Sequence, residues 1–207
     1  MRHDPAAEAR GHPVHAAFLD LLMRPMAPLR DRVVPQARGR VLEIGVGTGL
    51  NAAVYRPDQV QRLVGIDPDP NMLRRAQPRF DAAGFPVELV RCGAEALPFG
   101  DASFDEVVLT FTLCTVPDPA AAARELFRVL VPGGVVRFAE HTASDHRVTA
   151  AVQRAVDPVW GWLGGGCHVT RDPLETLRGA GFALEDVHGH GRGALNLTPV
   201  FRGLARR

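Results

Sequence analysis

The segment Val41-Leu42-Glu43-Ile44-Gly45-Val46-Gly47-Thr48-Gly49-Leu50-Asn51 constrains the fold more than any other part of the chain. A short apolar run ends in glycines at alternate positions, and a helical stretch over 50–55 is expected to follow. Glycines between a strand and a helix let a ligand approach the backbone at the carboxyl edge of a sheet. Glu43 stands two positions before the first glycine, and Asp67 closes the next apolar run, 18 residues after Gly49. A carboxylate there can accept from both hydroxyls of a ribose.

The rest of the chain repeats the alternation. Strands are predicted over 41–44, 60–66, 87–90, 104–110 and 135–140, and helices over 70–83 and 119–130. Strands alternating with helices of this length imply βαβ units and a doubly wound, mostly parallel α/β sheet. Apolar residues at helical spacing, Val14, Phe18, Leu21 and Leu22, predict a helix before Pro25 and Pro28, and a short segment over 29–37 follows it. A helix over 146–159 is expected to carry Val148, Val152, Ala155, Val156 and Val159 on one side. Asp172-Pro173-Leu174-Glu175 has the form of a capping box, with Asp as N-cap, Pro at N1 and Glu at N3. Strands over 182–187 and 195–204 are expected to lie antiparallel at a sheet edge. The reading is a single domain over 1–207: a helical cap over 1–37, and a core over 38–207 with a helical and loop insertion over 142–181.

Composition excludes several chemistries. All 24 basic residues among the 207 are arginine, only Ser103 and Ser144 are serine, and Tyr55 is the one tyrosine. Without lysine there is no Walker lysine, kinase strand lysine or Schiff-base amine. Neither serine stands in a G-x-S-x-G elbow. A net charge of +1 gives no general attraction to nucleic acid or anionic lipid. Cys92, Cys114 and Cys167 have neither a disulfide-framework nor a zinc spacing, and fit reduced thiols in a cytoplasmic setting. The best apolar stretch, 18–29, is short and interrupted, so no integral membrane segment is expected.

With these motifs in order, the chain resembles the class I S-adenosylmethionine-dependent methyltransferases. Glu43-x-Gly45-x-Gly47-x-Gly49 with Asp67 carries the resemblance, together with Gly-Ala-Glu-Ala-Leu-Pro-Phe (93–99), Asp-Ala-Ser-Phe-Asp (101–105) and Arg-Val-Leu-Val-Pro-Gly-Gly (128–134). It implies a seven-stranded Rossmann-like sheet and S-adenosylmethionine as cofactor. Glu43, Gly45 and Gly47 would line the methionine half, with Val46, Thr48, Gly49, Asn51 and Thr110 in the same cofactor-binding set. Asp67 would hold the ribose, Pro68 and Met72 would lie near the adenine, and Gly93, Ala94 and Glu95 would flank its edge. Many relatives carry Asp where this chain has Gly93, which leaves the adenine amino group to backbone, Glu95 or water. A nicotinamide-dependent oxidoreductase is disfavoured by Leu50 at the third-glycine position and by the missing Tyr/Lys pair. A non-catalytic cofactor-binding module is the other alternative.

Leu113-Cys114-Thr115-Val116, Glu140-His141, Asp157-Pro158-Val159-Trp160 and Gly166-Cys167-His168-Val169-Thr170-Arg171-Asp172 resemble the alkyl-thiol methyltransferase-like group and its bacterial relatives. This implies a small-molecule acceptor, first a thiol or sulfide, with an amine or phospholipid headgroup as the alternative. His141 and His168 are the candidate bases, since an imidazole is matched to a thiol proton. Cys114 and Cys167 read as small buried side chains, and Arg171 as structural or as a contact for an acidic substrate group. Trp160, Trp162 and the amino-terminal helix (Phe18, Leu22, Met26) are candidate walls of the acceptor pocket. Metal-independent catalysis, no nucleic-acid partner and a monomer or dimer complete the expectation.

Overall fold

Successive residues of the first strand are buried on opposite sides, which makes the sheet a middle layer. In β1 (Gly39–Ile44), Val41 joins an apolar cluster with Leu63, Ala76 and Phe80, whereas Leu42 and Ile44 join another with Val107, Leu126 and Phe138. A strand apolar on both faces needs cover on both. The computed structural model describes Asp20 and residues 23–163, 166–190 and 198–207. Its other strands are β2 (Val60–Ile66), β3 (Val87–Val90), β4 (Phe104–Thr110), β5 (Leu130–His141), β6 (Ala183–His190) and β7 (Val200–Arg206). They form one sheet in the order β3-β2-β1-β4-β5-β7-β6. The first five are parallel, and β7 runs antiparallel to both β5 and β6.

The helices are α1 (Ala27–Val33), α2 (Pro70–Asp81), α3 (Pro119–Val129), α4 (Arg147–Leu163) and α5 (Pro173–Gly179), with 3-10 turns at Arg24–Met26 and Val34–Gln36. Three begin on an aspartate whose carboxylate accepts a backbone N–H of the first turn: Asp69 from Asn71, Asp118 from Ala121 and Asp172 from Glu175. Each has proline at the start, where a missing N–H costs nothing.

The predicted strands β1 to β4 and helices α2, α3 and α5 appear where expected, and the chain departs from expectation elsewhere. Residues 47–54 form consecutive turns rather than a helix. Gly49 N–H donates to Val46 O, Ala52 N–H to Gly49 O and Val54 N–H to Asn51 O, all one residue tighter than an α-helix. β5 begins at Leu130 and runs through Pro132-Gly133-Gly134, because Phe104 pairs with Leu130 across a register shift. The valine side of α4 faces outward: Val148 and Val159 are 64% and 61% exposed, while Thr149 and Gln153 are buried. Gln153 accepts from Ser144 N–H at 2.8 Å and donates to Thr142 O, so polar contacts orient the helix. Of the expected amino-terminal helix, Val14, Phe18, Leu21 and Leu22 lie outside the described residues, as do 195–197 of the last expected strand and the side chain of Trp162.

Register brings the functional ends together. Ile44 pairs with Ile66 and Leu109, Leu109 with Phe138, and Thr110 with Ala139. The residues that follow, Gly45, Asp67, Phe111 and Glu140, therefore share the carboxyl edge of the sheet, where ligands bind in open α/β folds. An open groove lined by Arg38, Asp105, Glu106, Gly133 and Arg206 lies at the opposite edge and contains none of the expected site residues.

Candidate active site

The glycine loop is fastened to Asp67. Asp67 Oδ2 accepts from Gly47 N–H at 2.9 Å, and Oδ1 accepts from Asp69 N–H at 2.9 Å. Burial pushes the Asp67 carboxyl up to about 6, against the pull of the Asp69 and Gly47 amides. Gly45 has φ +66°, and a Cβ there would lie 2.7 Å from Thr112 Cγ2, so the loop needs glycine to pass under the end of β4. Val46 packs inward with 4% exposure and offers the site its backbone alone. Gly49 packs on Ala76 of α2, a helix-contact role.

Behind the loop lies a buried polar network. Glu43 Oε1 accepts from Asn51 Nδ2 at 2.9 Å, and Oε2 accepts from the Tyr55 hydroxyl at 2.7 Å. Asn51 Nδ2 also donates to Thr110 Oγ1 at 3.0 Å. Burial pushes Glu43 up to about 7, opposed by the Tyr55 and Asn51 donors and the Arg30 charge. Asn51 Oδ1 is buried and has no hydrogen-bond partner among the described residues. An unpartnered buried acceptor is costly unless a ligand donor meets it. Thr48 is engaged from the other side: its hydroxyl donates to Asp20, and Arg79 donates to both Thr48 O and Asp20.

The remaining expected cofactor contacts extend along the same edge. Pro68 is exposed beside Asp67, and Met72 lies half-buried in the first turn of α2. Gly93 and Ala94 follow β3, whose Val90 pairs with Ile66. A Cβ on Gly93 would lie 2.7 Å from Glu95 Oε2, so the glycine gives Glu95 room to fold back; Oε1 accepts from Asp118 N–H at 3.3 Å.

The end of β5 organises a second set of groups. Glu140 is fully buried, and Oε1 accepts from Thr112 N–H at 2.7 Å, with the Leu113 and Cys114 amides also directed at the carboxylate. Burial pushes Glu140 up to about 8 against these amides. Thr112 in turn donates its hydroxyl to Ile44 O at 3.0 Å, joining this turn to the glycine loop. Phe111 adopts φ +57°, a left-handed conformation that costs a non-glycine residue about 1–2 kcal/mol. Its ring lies 4.9 Å from that of His141.

Cys114 and Cys167 are buried, as expected, but they also meet: their sulfurs are 3.4 Å apart. One donor atom each from Cys114, His141 and Cys167 all lie within 4.8 Å of one another. The Cys114 contact, the His141 ring and the Trp160 indole pull the Cys167 thiol below its usual range despite burial, and Cys114 is correspondingly raised. His168 Nδ1 lies 2.8 Å from Asp157 Oδ2 on α4. Burial works against the Asp157 charge, yet His168 and the Thr170 amide leave this carboxyl below its ordinary range. Arg171 is structural: Nη1 donates to Leu113 O at 3.0 Å and Val116 O at 2.6 Å, strapping the 166–172 loop to the turn after β4.

Sequence reading missed Tyr55, Thr112, Arg30, Asp157 and Asp20. The single tyrosine was visible, but its contact with Glu43 depends on the turns after the glycine loop. Asp157 opens the Asp157-Pro158-Val159-Trp160 motif, and only the return of the 166–172 loop gives it His168 as partner.

Comparison with known proteins agrees with this geometry. Residues 42–138 match the family described as a methyltransferase domain. A thiol S-methyltransferase of Rattus norvegicus, TMT1B, is 33% identical over 147 residues, covering 69% of this chain and 59% of that protein. A phosphatidylethanolamine N-methyltransferase of Cereibacter sphaeroides is 39% identical over 142 residues, covering 65% of this chain and 69% of that protein. The chain thus spans under two thirds of the rat relative's length. Among solved structures, a putative methyltransferase from Bacillus halodurans superposes with a TM-score of 0.71 at 20% identity, covering 87% of this chain and 97% of that one. Among the described residues, no helix is long and apolar enough to cross a membrane. Sequence, sheet order and relatives agree that the chain belongs to the class I S-adenosylmethionine-dependent methyltransferases.

Proposed function

We propose that the chain transfers a methyl group from S-adenosylmethionine to the sulfur of a small lipophilic thiol. The observation that carries this reading is the meeting of Cys114, His141 and Cys167 beside the turn that Thr112 ties to the glycine loop, with His168 next in the chain and held by Asp157. The residues fit the cofactor. Asn51 Oδ1 is a buried acceptor awaiting a donor such as an ammonium group, and the Asp67 carboxylate suits paired ribose hydroxyls. Pro68, Met72 and the Gly93–Glu95 turn would border the adenine. The bound cofactor supplies a methyl group on a sulfonium, open to in-line displacement.

The protein's part is to align the acceptor, exclude water and take its proton. A thiol near its usual pKa of about 8.5 needs modest help to ionise, which an imidazole provides. His168 is the better arranged of the two candidates. Asp157 holds Nδ1, which leaves Nε2 free as the basic nitrogen. The acceptor sulfur, freed of its proton by these residues, would accept the methyl group, and the electron pair of the broken bond would remain with the cofactor sulfur. The similarity to the rat thiol S-methyltransferase supports the thiol, and the similarity to the Cereibacter phosphatidylethanolamine N-methyltransferase supports a headgroup amine as the second reading. Reduced cysteines fit a cytoplasmic enzyme, working as a monomer or dimer.

Radiolabelled cofactor offered with a panel of alkyl and aryl thiols and a panel of amines tests the acceptor. Label is expected in thioethers. Label in amines alone overturns the thiol reading in favour of the second.

A further inference from the structure

We propose that Cys114, His141 and Cys167 form a three-donor site for a zinc ion, with the fourth position open to the acceptor's sulfur. The three residues come from the turn after β4, the end of β5 and the loop after α4, so no linear spacing announces them. Their donor atoms lie within 4.8 Å of one another, and the two sulfurs are 3.4 Å apart. Tetrahedral zinc, with Zn–S of about 2.3 Å and Zn–N of about 2.0 Å, places such atoms about 3.5–3.8 Å apart. Closing the set around an ion therefore asks the widest pair of donors to approach by roughly 1 Å and the two sulfurs to part by a few tenths of an ångström. Two thiols and an imidazole form a soft donor set, suited to zinc rather than magnesium or calcium.

A second observation concerns His141. Its Nδ1 is buried and has no hydrogen-bond partner among the described residues. A disulfide between the two cysteines would account for the sulfurs but not for the imidazole that stands beside them. The surroundings are also tied together by hydrogen bonds. Glu140 holds the Thr112 amide, Arg171 straps Leu113 and Val116 to the 166–172 loop, and His168 N–H donates to Cys114 O at 2.8 Å. Such outer contacts keep ligands oriented.

Among the described residues, no fourth His, Cys, Asp or Glu donor joins the three. Structural zinc sites are usually closed by four protein ligands, whereas three plus an open position is the pattern of reactive ones. The open position would lie beside Cys114, which follows Thr112 in the turn tied to the glycine loop. There the acceptor R–SH would bind as R–S⁻, its proton passing to a base such as His168 or to solvent. The sulfur then forms its bond to the methyl carbon as the methyl–sulfonium bond breaks. The identity of this fourth ligand, unlike the metal site, rests on the thiol reading above.

The test uses the full chain, reduced and stripped with a chelator under anaerobic conditions, then titrated with Zn²⁺ and separately with Co²⁺. One equivalent of metal is expected, with tetrahedral thiolate–cobalt absorption that shifts when a small alkyl thiol is added. Cys114→Ala and Cys167→Ala should each weaken metal binding at least tenfold and lose the thiolate bands, with Cys92→Ala as the control that keeps them. S-adenosylhomocysteine binding by calorimetry checks that each variant is folded. If the Cys114 variant fails that check, Cys167→Ala and His141→Gln carry the test. Failure of the reduced wild-type chain to bind either ion overturns the site. Full binding by a folded Cys167→Ala variant also overturns it. Cobalt binding that ignores added thiol overturns the open position. Because these readouts need no turnover, methylation of amines alone would defeat the thiol acceptor without altering the metal stoichiometry.

Discussion

Replacing Asp67 tests the cofactor site most directly. Its two oxygens already accept from the Gly47 and Asp69 amides, and each retains a lone pair for a ribose hydroxyl. A hydrogen bond to a charged group contributes about 1.5–3 kcal/mol, so losing two weakens binding by about 10²- to 10⁴-fold. Titration calorimetry with S-adenosylhomocysteine at pH 7.5 should find Asp67→Ala in that range and Asp67→Asn, which keeps one acceptor, less affected. Acidity gives a second readout. Hydroxyl donors favour the ionised carboxylate, so wild-type affinity should fall about tenfold per pH unit below about 6, where the free protein's Asp67 gains its proton. Glu43 titrates nearby in both proteins, so the difference from Asp67→Asn isolates Asp67. Stability of the ligand-free protein moves oppositely. The folded pKa is raised from 3.8 to about 6, so the Asp67 contribution is greatest below 3.8 and is lost as pH rises to about 6, by about 3 kcal/mol at most. A folded Asp67→Ala chain that binds within threefold of wild type would refute the ribose role.

Three further substitutions probe the rest of the site. Tyr55→Phe removes one of the two side-chain donors on buried Glu43 and should cost about 1–3 kcal/mol in urea unfolding; an unchanged midpoint would show that this bond contributes nothing. Gly45→Ala forces a Cβ to 2.7 Å from Thr112 at φ +66°, so cofactor binding should fall at least tenfold, and calorimetry showing wild-type affinity would contradict the close packing. Asp157→Asn should lower single-turnover methyl transfer by about 10²-fold at neutral pH while sparing cofactor affinity, since general base catalysis typically contributes 10²–10⁴-fold. Equal rates would remove the His168–Asp157 pair from the proton path.

What could be read from the sequence was what local chemistry encodes. β1 to β4 follow from short apolar runs, and the aspartate–proline pairs before α2, α3 and α5 mark helix starts directly. Gly45, Gly47 and Asp67 were legible because the turn and the next strand end are themselves local features. Cys114 and Cys167 were not, because 53 residues separate them and they meet only when the 166–172 loop folds back on the turn after β4. The valines of α4 misled for a related reason. Helical spacing reports that a face is apolar, but the Gln153 contacts with residues 142 and 144 turn the opposite face inward.

Asp20 gives the glycine loop a partner from outside the sheet. It shares the Thr48 hydroxyl and Arg79, so displacing Asp20 disturbs the loop that carries Gly47 and its bond to Asp67. The position of Asp20 and the conformation of the glycine loop are then linked through the Thr48 hydroxyl, so a ligand that settles the loop would also hold Asp20 in place.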